Sequence, residues 1–367
     1  MSTRGNGETA EIVRHMGLVH LLLAVGILLA CQENGGPPPV GTVSDSAGVA
    51  IATIPSSSDT PDWDLSEATT TQIAGDELDP IGAVRGLLWW DSVRIVLADN
   101  DMTLRVYDVE GRKLMLLGGR GEGPGEFRDI LPISRMASGE LAVWDFALNR
   151  MTIFGGDGRF ARSYNVTKAP DAENPIYLVR DLADGDRLVA KSIPVRSSNP
   201  RNPRSDWGIS RLLVYSAAAE EWIFTREFVV HPCQDTPPHH CPPEPGRDYG
   251  ALASSPGGIF LASGDWPEIL VLDPDGSLRT IIREGVPGRE GFTRMVVAPS
   301  GGLWVSRADD TDWLVFDRAS LQWRRVRFPE DFRLTDIWGS RALGLRIDTL
   351  GVQRAVVLNL PEEIPEK

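Results

Sequence analysis

Leu104-Arg105-Val106-Tyr107-Asp108 and Trp313-Leu314-Val315-Phe316-Asp317 are two copies of one short strand, apolar for most of its length and closing in an aromatic residue and an aspartate. Further copies are Met151-Thr152-Ile153-Phe154, Leu212-Leu213-Val214-Tyr215, Ile269-Leu270-Val271-Leu272-Asp273 and Ala355-Val356-Val357-Leu358-Asn359. Their anchors Tyr107, Phe154, Tyr215, Leu272, Phe316 and Leu358 stand 42 to 61 residues apart. That spacing suits the four-stranded blade of a propeller.

Each copy, strand C of its blade, follows a short apolar strand B: residues 94–98, 140–144, 187–190, 258–262, 302–305 and 341–345. Tight turns precede strand B, among them Ser138-Gly139, Ser300-Gly301 and Gly339-Ser340, with the residues that two-residue hairpins need. Strand D follows C, as in Lys113-Leu114-Met115-Leu116-Leu117. The sixth copy has no strand D after it, and residues 67–74 are expected to supply one from the other end of the chain. Such a strand closes a ring and removes its open edges. The expectation is an all-β protein, a six-bladed β-propeller of four-stranded antiparallel blades closed by an N-terminal strand. Gly48-Val49-Ala50-Ile51-Ala52-Thr53-Ile54 reads as another strand, with no partner assignable. With 42% hydrophobic residues, 37 Gly and 27 Pro in 367, the composition fits many short strands and turns.

The start of the chain reads as an address. The apolar run from Gly17 to Cys31 is shorter than the ~20 residues of a bilayer span and is followed at once by polar residues and prolines. Leu28-Leu29-Ala30-Cys31 resembles the lipobox of bacterial lipoproteins, which implies a signal peptide over 1–30 and a lipidated Cys31. The alternative is a plain secreted protein with Cys31 as an ordinary thiol, and Met16 is a second possible start. Residues 31–47 read as a flexible tether, 48–360 as the propeller and 361–367 as a tail. Gln32 after the cysteine resembles an outer-membrane sorting signal, facing the periplasm or the cell surface. Lys and Arg number 37 against 51 Asp and Glu, a formal charge of −14, which repels phosphate backbones and argues against nucleic-acid binding.

The segment 45–360 resembles the bacterial six-bladed β-propeller lipoproteins related to NHL-repeat propellers. The resemblance rests on Asp45-Ser46-Ala47-Gly48-Val49, Leu104 to Asp108, Asp348-Thr349-Leu350-Gly351-Val352 and, most specifically, Gly119-Arg120-Gly121-Glu122-Gly123-Pro124-Gly125-Glu126-Phe127. It implies a fold and an envelope location and transfers no catalytic residue.

In a propeller the B–C and D–A connections share one face. The long connections here, 118–129, 191–211, 228–250 and 284–292, all belong to those two classes. A rigid scaffold presenting long loops together points to a binding face. Around the channel mouth on that face the B–C connections place Asp99 and Asp101; Asp145 and Asn149; Lys191 and Arg196; Asp265 and Glu268; Arg307, Asp309, Asp310 and Asp312; Arg346 and Asp348. An oxygen-rich set suits Ca²⁺ or another divalent cation. The same residue types also hydrogen-bond their own turns.

Cys233 and Cys241 share the segment 231–241 with His231, His239 and His240. A disulfide fits an exported protein, and a zinc site is the alternative. No Ser/His/Asp triad can be assembled, because every histidine beyond the leader lies in that segment. The reading favours an envelope-tethered, monomeric binding propeller for a protein, glycan or small polar ligand. Its rival is a metal-dependent hydrolase resembling six-bladed lactonases, although no Glu/Asn/Asp set matches theirs residue by residue.

Overall fold

The structure, a computed structural model, describes residues 41–55, 60–76, 79–166, 176–181, 187–192, 195–196, 208–230, 251–255, 258–262, 268–285, 291–307, 311–317, 320–362 and 364. These residues contain strands and no helix. The N-terminal segment supplies β1 (Thr42–Ser46), β2 (Val49–Ile54), β3 (Trp63–Asp64) and β4 (Thr70–Ala74). A first sheet follows as β5 (Val84–Trp89), β6 (Arg94–Asp99), β7 (Thr103–Asp108) and β8 (Lys113–Gly118). The second is β9 (Ile130–Arg135), β10 (Leu141–Asp145), β11 (Arg150–Phe154) and β12 (Phe160–Asn165). The third comprises β13 (Ile176–Asp181), β14 (Arg187–Ser192), the short β15 (Val195–Arg196), β16 (Gly208–Ser216) and β17 (Glu221–Val230).

The fourth sheet is β18 (Leu252–Ser255), β19 (Gly258–Ala262), β20 (Glu268–Leu272) and β21 (Leu278–Glu284). The fifth is β22 (Arg294–Val297), β23 (Leu303–Ser306), β24 (Asp312–Asp317) and β25 (Gln322–Arg327). The last is β26 (Phe332–Trp338), β27 (Arg341–Ile347) and β28 (Gln353–Asn359), completed by β4. The architecture is an all-β propeller with four-stranded blades. Five blades are described with their side chains, where the repeat predicts six. The remaining sheet, β13 to β17, is described mainly by backbone pairing, because 182–186, 193–194 and 197–207 lie outside the described residues.

Consecutive strands pair because tight turns join them, and the turn residues meet the backbone's demands. Gly139 has φ +82°, a left-handed conformation that costs glycine nothing. Within each strand, alternate side chains enter the spaces on the two sides of the blade. Hence the apolar core lies between blades. Trp90, Val96, Leu104, Phe127 and Val143 fill the space between the first and second sheets. Ile73, Trp89, Tyr107, Leu343 and Val357 fill that between the last and the first. The anchors Tyr107, Phe154, Tyr215, Leu272, Phe316 and Leu358 are all buried, as the repeat requires. The innermost strands touch in series: β5 beside β9, then β13, β18, β22 and β26, which returns to β5.

The N-terminal segment laces the rim. β2 pairs parallel with β21, Ala50 to Ile54 opposite Thr280 to Glu284, and β1 folds back on β2. This finds a partner for the strand 48–54. It also shortens the expected tether, since Thr42 is already in a strand. The hairpin turn that permits this has Ala47 and Gly48 at positive φ and the Gly48 N–H donated to Asp45 Oδ1 at 3.2 Å. β3 pairs parallel with β25, reinforced by Asp62, whose Oδ2 accepts the Arg325 N–H at 2.7 Å. β4 then pairs antiparallel with β28, Ala74 opposite Ala355 and Thr70 opposite Leu358. One stretch of chain thus crosses the outer edges of three successive sheets.

A polar tie holds the ring from inside. Asp336 of β26 is buried, and its Oδ2 accepts the Trp89 N–H and Nη1 of Arg135, each at 2.8 Å. The same Nη1 donates to the Trp89 carbonyl at 2.6 Å. Three innermost strands, β26, β5 and β9, meet at one carboxylate.

Closure by β4 makes a direct prediction. Ile73→Ala, which opens a cavity between the last and first blades, should lower unfolding free energy by about 2–5 kcal/mol in urea denaturation. Val43→Ala, at an exposed position of β1, should change it by no more than about 0.5 kcal/mol. Equal effects would deny β4 its closing role.

Candidate functional site

Each innermost strand begins on the face that carries the D–A and B–C connections. There the second strand of a sheet ends beside the chain arriving at the first. In the first two sheets that second strand ends in aspartate. Asp99, 2% exposed, accepts the Gly82 N–H at 3.0 Å on Oδ2 and its neighbour Asn100 N–H at 2.6 Å on Oδ1. Arg105 Nη2 lies 3.3 Å from the same Oδ2. Asp145 has no exposed surface, and it accepts the N–H groups of Arg128 (2.8 Å), Asp129 (3.3 Å) and Leu148 (3.0 Å). These carboxylates act as latches between neighbouring strands, filled by backbone donors.

Other sheets use different chemistry at this place. In the fifth, the Thr293 N–H donates to the Ser306 carbonyl at 2.9 Å and the Thr293 hydroxyl to that of Arg307. In the last, Arg346 Nε donates to Asp331 Oδ2 at 2.7 Å. Arg307 pairs with the buried Glu284 at 2.6 Å and lies over the Phe292 ring.

The remaining sequence candidates are placed as follows. Asp101 is exposed and pairs with Arg105 at 2.9 Å. Burial raises its pKa, but hydrogen bonds from Thr103 and Arg105 and the charge of Arg105 outweigh that and hold it below the ordinary carboxylate value. Asn149 takes positive φ, and its carbonyl accepts the Val166 N–H. Asp348 caps its own turn, accepting the N–H groups of Leu350 and Val352 at 3.0 Å each, with Arg354 at 3.1 Å. Asp312 holds Arg325 and Arg327 on the neighbouring strand. Glu268 opens β20, opposite Arg283. Asp265, Asp309, Asp310, Cys31, Cys233 and Cys241 lie outside the described residues, as do the side chains of Lys191 and Arg196. Among the described residues no three or more His, Cys, Asp or Glu converge on a common metal position.

The long connection 118–129 is a tightly bonded turn. Its Phe127 is fully buried, the Phe127 N–H donates to Gly119, and that of Gly121 donates back to Phe127. Gly118 has φ +78°, and a Cβ there would stand 2.6 Å from the Phe127 ring, so the Gly-rich sequence answers a packing need. From the second sheet, Arg150 donates to the carbonyls of Glu122 and Glu126. In the third sheet β16 and β17 pair as far as Gly208 opposite Val230, carrying a hairpin toward this same face. Parts of the stretches read as loops, 191–211 and 228–250, are therefore strand.

Sequence reading looked for the site in the B–C connections and passed over the innermost strands. Those carry Arg85, Arg294 and Arg333 near their starts at the mouth. Arg85 sits at a bulge in β5, its side chain 37% exposed and 3.9 Å from Asp129. Arg294 is exposed, and Arg333 donates Nη1 to the Glu330 and Phe332 carbonyls. The available signal was an arginine near the start of the strand before three of the tight A–B turns.

Behind the mouth, Asp79 joins the rim lacing to the first sheet. It accepts the Tyr107 hydroxyl at 2.6 Å and Lys113 Nζ at 2.7 Å, with Arg105 at 3.8 Å. Burial raises the Asp79 pKa, yet these hydrogen bonds and cations hold it below the ordinary carboxylate value. Burial and the bond to Asp79 push the Tyr107 phenol up.

No known family model matches the chain, and no curated protein matches it in sequence. Among solved structures, a protein described as exported, from Bacteroides fragilis, aligns at a TM-score of 0.52 with 10% identity over 84% of this chain and 98% of its own. A gluconolactonase from Xanthomonas campestris aligns at 0.49 with 15% identity over 89% and 99%. A streptogramin B lyase aligns at 0.43 with 12% identity over 82% and 89%. At 10% identity the first of these alignments speaks to the fold and to nothing chemical.

Two measurements test the latches. Asp145→Ala leaves three N–H donors without their acceptor and should cost about 3 kcal/mol in chemical denaturation, with Asp145→Asn costing less. A change under about 0.5 kcal/mol would contradict the latch. For Asp79, a folded pKa below the unfolded value stabilises the fold above about pH 4, and that contribution is lost as pH falls toward the folded value. Asp79→Asn should therefore weaken the protein at pH 7 and flatten its loss of stability below pH 4.

Proposed function

We propose that this protein is a six-bladed, envelope-tethered binding propeller that takes a polar ligand or partner at the channel mouth. The observation carrying this reading is the use of the mouth carboxylates. Asp99, Asp145 and Asp348 each accept two or more backbone N–H groups, so their oxygens serve the scaffold. A scaffold fastened in this way holds the mouth rigid, as recognition requires. A lactonase-like hydrolase would instead need such oxygens directed together at a cation.

The tether is lipidated Cys31, with the signal peptide 1–30 removed and the protein held at the outer membrane. Cys233 and Cys241 form a disulfide within the connection 231–250, and the propeller acts as a monomer. Multiple acyl chains on Cys31 would anchor it firmly where one would not.

Cys31→Ser should move the protein from the membrane pellet to the soluble fraction and abolish labelling by radioactive palmitate. Calorimetric melting of the purified protein should be the same in Ca²⁺ and in a chelator. A melting temperature raised several degrees by Ca²⁺ and restored by chelation would transfer the mouth to the hydrolase reading. An unlabelled wild-type protein would remove the tether.

A further inference from the structure

We propose that the turn at 361–364 is a strap over an apolar groove on the face of the A–B turns, and that the groove, once the strap lifts, takes an aliphatic side chain of a partner peptide in place of Ile364. The proposal concerns the face opposite the mouth and stands apart from the reading of the mouth.

The repeat has no use for these residues. β28 is the third strand of its sheet, β4 supplies the fourth, and the last blade is complete at Asn359. The chain then runs on across the A–B turns. The Leu360 N–H donates to the Ser340 carbonyl at 2.8 Å, and the Ile364 N–H donates to the Pro361 carbonyl at 3.2 Å. The second bond closes a turn within the strap. Ile364 is 4% exposed.

Its seat lies between the fifth and last sheets. Ala298 and Ser300 bound it at the A–B turn of the fifth, Ile337 and Ser340 at that of the last, and Trp304 lines it as well. Trp304 is 1% exposed and Ile337 2%, and both belong to the core cluster that Ile364 joins. With Ile364 in place the hollow beside it amounts to about 10 Å³, room for one water molecule. One branched aliphatic side chain therefore fills the seat.

The walls are fixed independently of the occupant. The Ala298 N–H donates to the Gly302 carbonyl at 2.9 Å and the Gly301 N–H to the Ala298 carbonyl at 2.8 Å, both within the turn of the fifth sheet. The strap is less firmly founded. After Leu360 the sequence reads Pro361-Glu362-Glu363-Ile364-Pro365-Glu366-Lys367, one branched aliphatic residue among prolines and charges. Glu362 is exposed. Burying one isoleucine is of the same order as the conformational entropy lost in fixing a few residues, so the closed and open states lie close in free energy. Such near balance is what lets a chain end open while the body stays folded.

The test uses a synthetic peptide of residues 361–367, acetylated at its N-terminus, and the indole N–H resonance of Trp304 in the full mature protein. Ile364→Asp should lift the strap, shift that resonance and lower the melting temperature by only a few degrees. Adding the peptide should return the resonance toward its wild-type position, with a Kd of about a millimolar, the effective concentration of a short tether. The same peptide carrying Ile364→Asp should leave it unmoved. The wild-type protein, its groove already filled, should bind the peptide more weakly than the variant by about twofold or more.

A Trp304 resonance in the variant that ignores the peptide would overturn the groove. Wild-type protein binding the peptide as tightly as the variant would overturn the strap. Should Ile364→Asp unfold the protein, Ile364→Ala must stay folded and bind the peptide in the same way. Unfolding by both substitutions would make Ile364 a fixed part of the core and overturn the proposal.

Discussion

Ring closure is the constraint on which everything else in this molecule depends. A blade by itself is a small twisted sheet with two apolar faces, and neither face is buried until a neighbour stands on each side. The core is accordingly divided among the gaps between blades, and the gap between last and first is filled only if the chain's two ends meet. β4 makes that meeting by pairing with β28 and placing Ile73 among Trp89, Tyr107 and Val357. The Asp336 tie to Trp89 and Arg135 fixes the same seam from the inner edge. Its carboxylate is nearly out of water, so its worth lies in specifying which strands adjoin as much as in net energy.

The lacing along the rim follows from the same need. An outermost strand leaves a row of unpaired backbone groups, which natural sheets cover or blunt. β2 covers β21 and β3 covers β25 before β4 reaches β28. Any pull on the N-terminal segment therefore meets hydrogen bonds on two sheets before it reaches the seam.

Much of this was legible because local rules determine it. Six copies of a strand closing in an aromatic residue or leucine, their tight turns and the missing final strand D are statements about neighbouring residues and hairpins, and Phe154, Tyr215 and Phe316 are buried as their pattern requires. The Gly-Pro-Gly-Glu-Phe stretch was legible as a turn, though the burial of Phe127 was not. Parallel addition was illegible. Ala50 to Ile54 meets Thr280 to Glu284 across more than two hundred residues, and a parallel pair has no turn to announce it. The candidate site failed differently. Asp99 and Asp145 are the right residue types for a cation or for a turn, and only burial and three-dimensional donors distinguish the two uses. The arginines of the innermost strands were missed because an arginine in a strand ordinarily signals an exposed edge.

The two ends of the channel use one residue type in two ways. Away from the mouth, Arg135, Arg341 and Arg94 lie over the rings of Trp338, Trp89 and Trp90, 4.2 to 5.1 Å from their centroids. Arg135 and Arg94 also bind carboxylates, and Arg341 donates to the Ser92 carbonyl at 2.5 Å. These guanidinium groups are fixed by both charge and stacking. At the mouth, Arg85 and Arg294 are exposed near the starts of their strands. With the buried carboxylates already committed to backbone N–H groups, reshaping the mouth by substitution there would leave the ring standing, which is the condition for a propeller to change ligands without losing its fold.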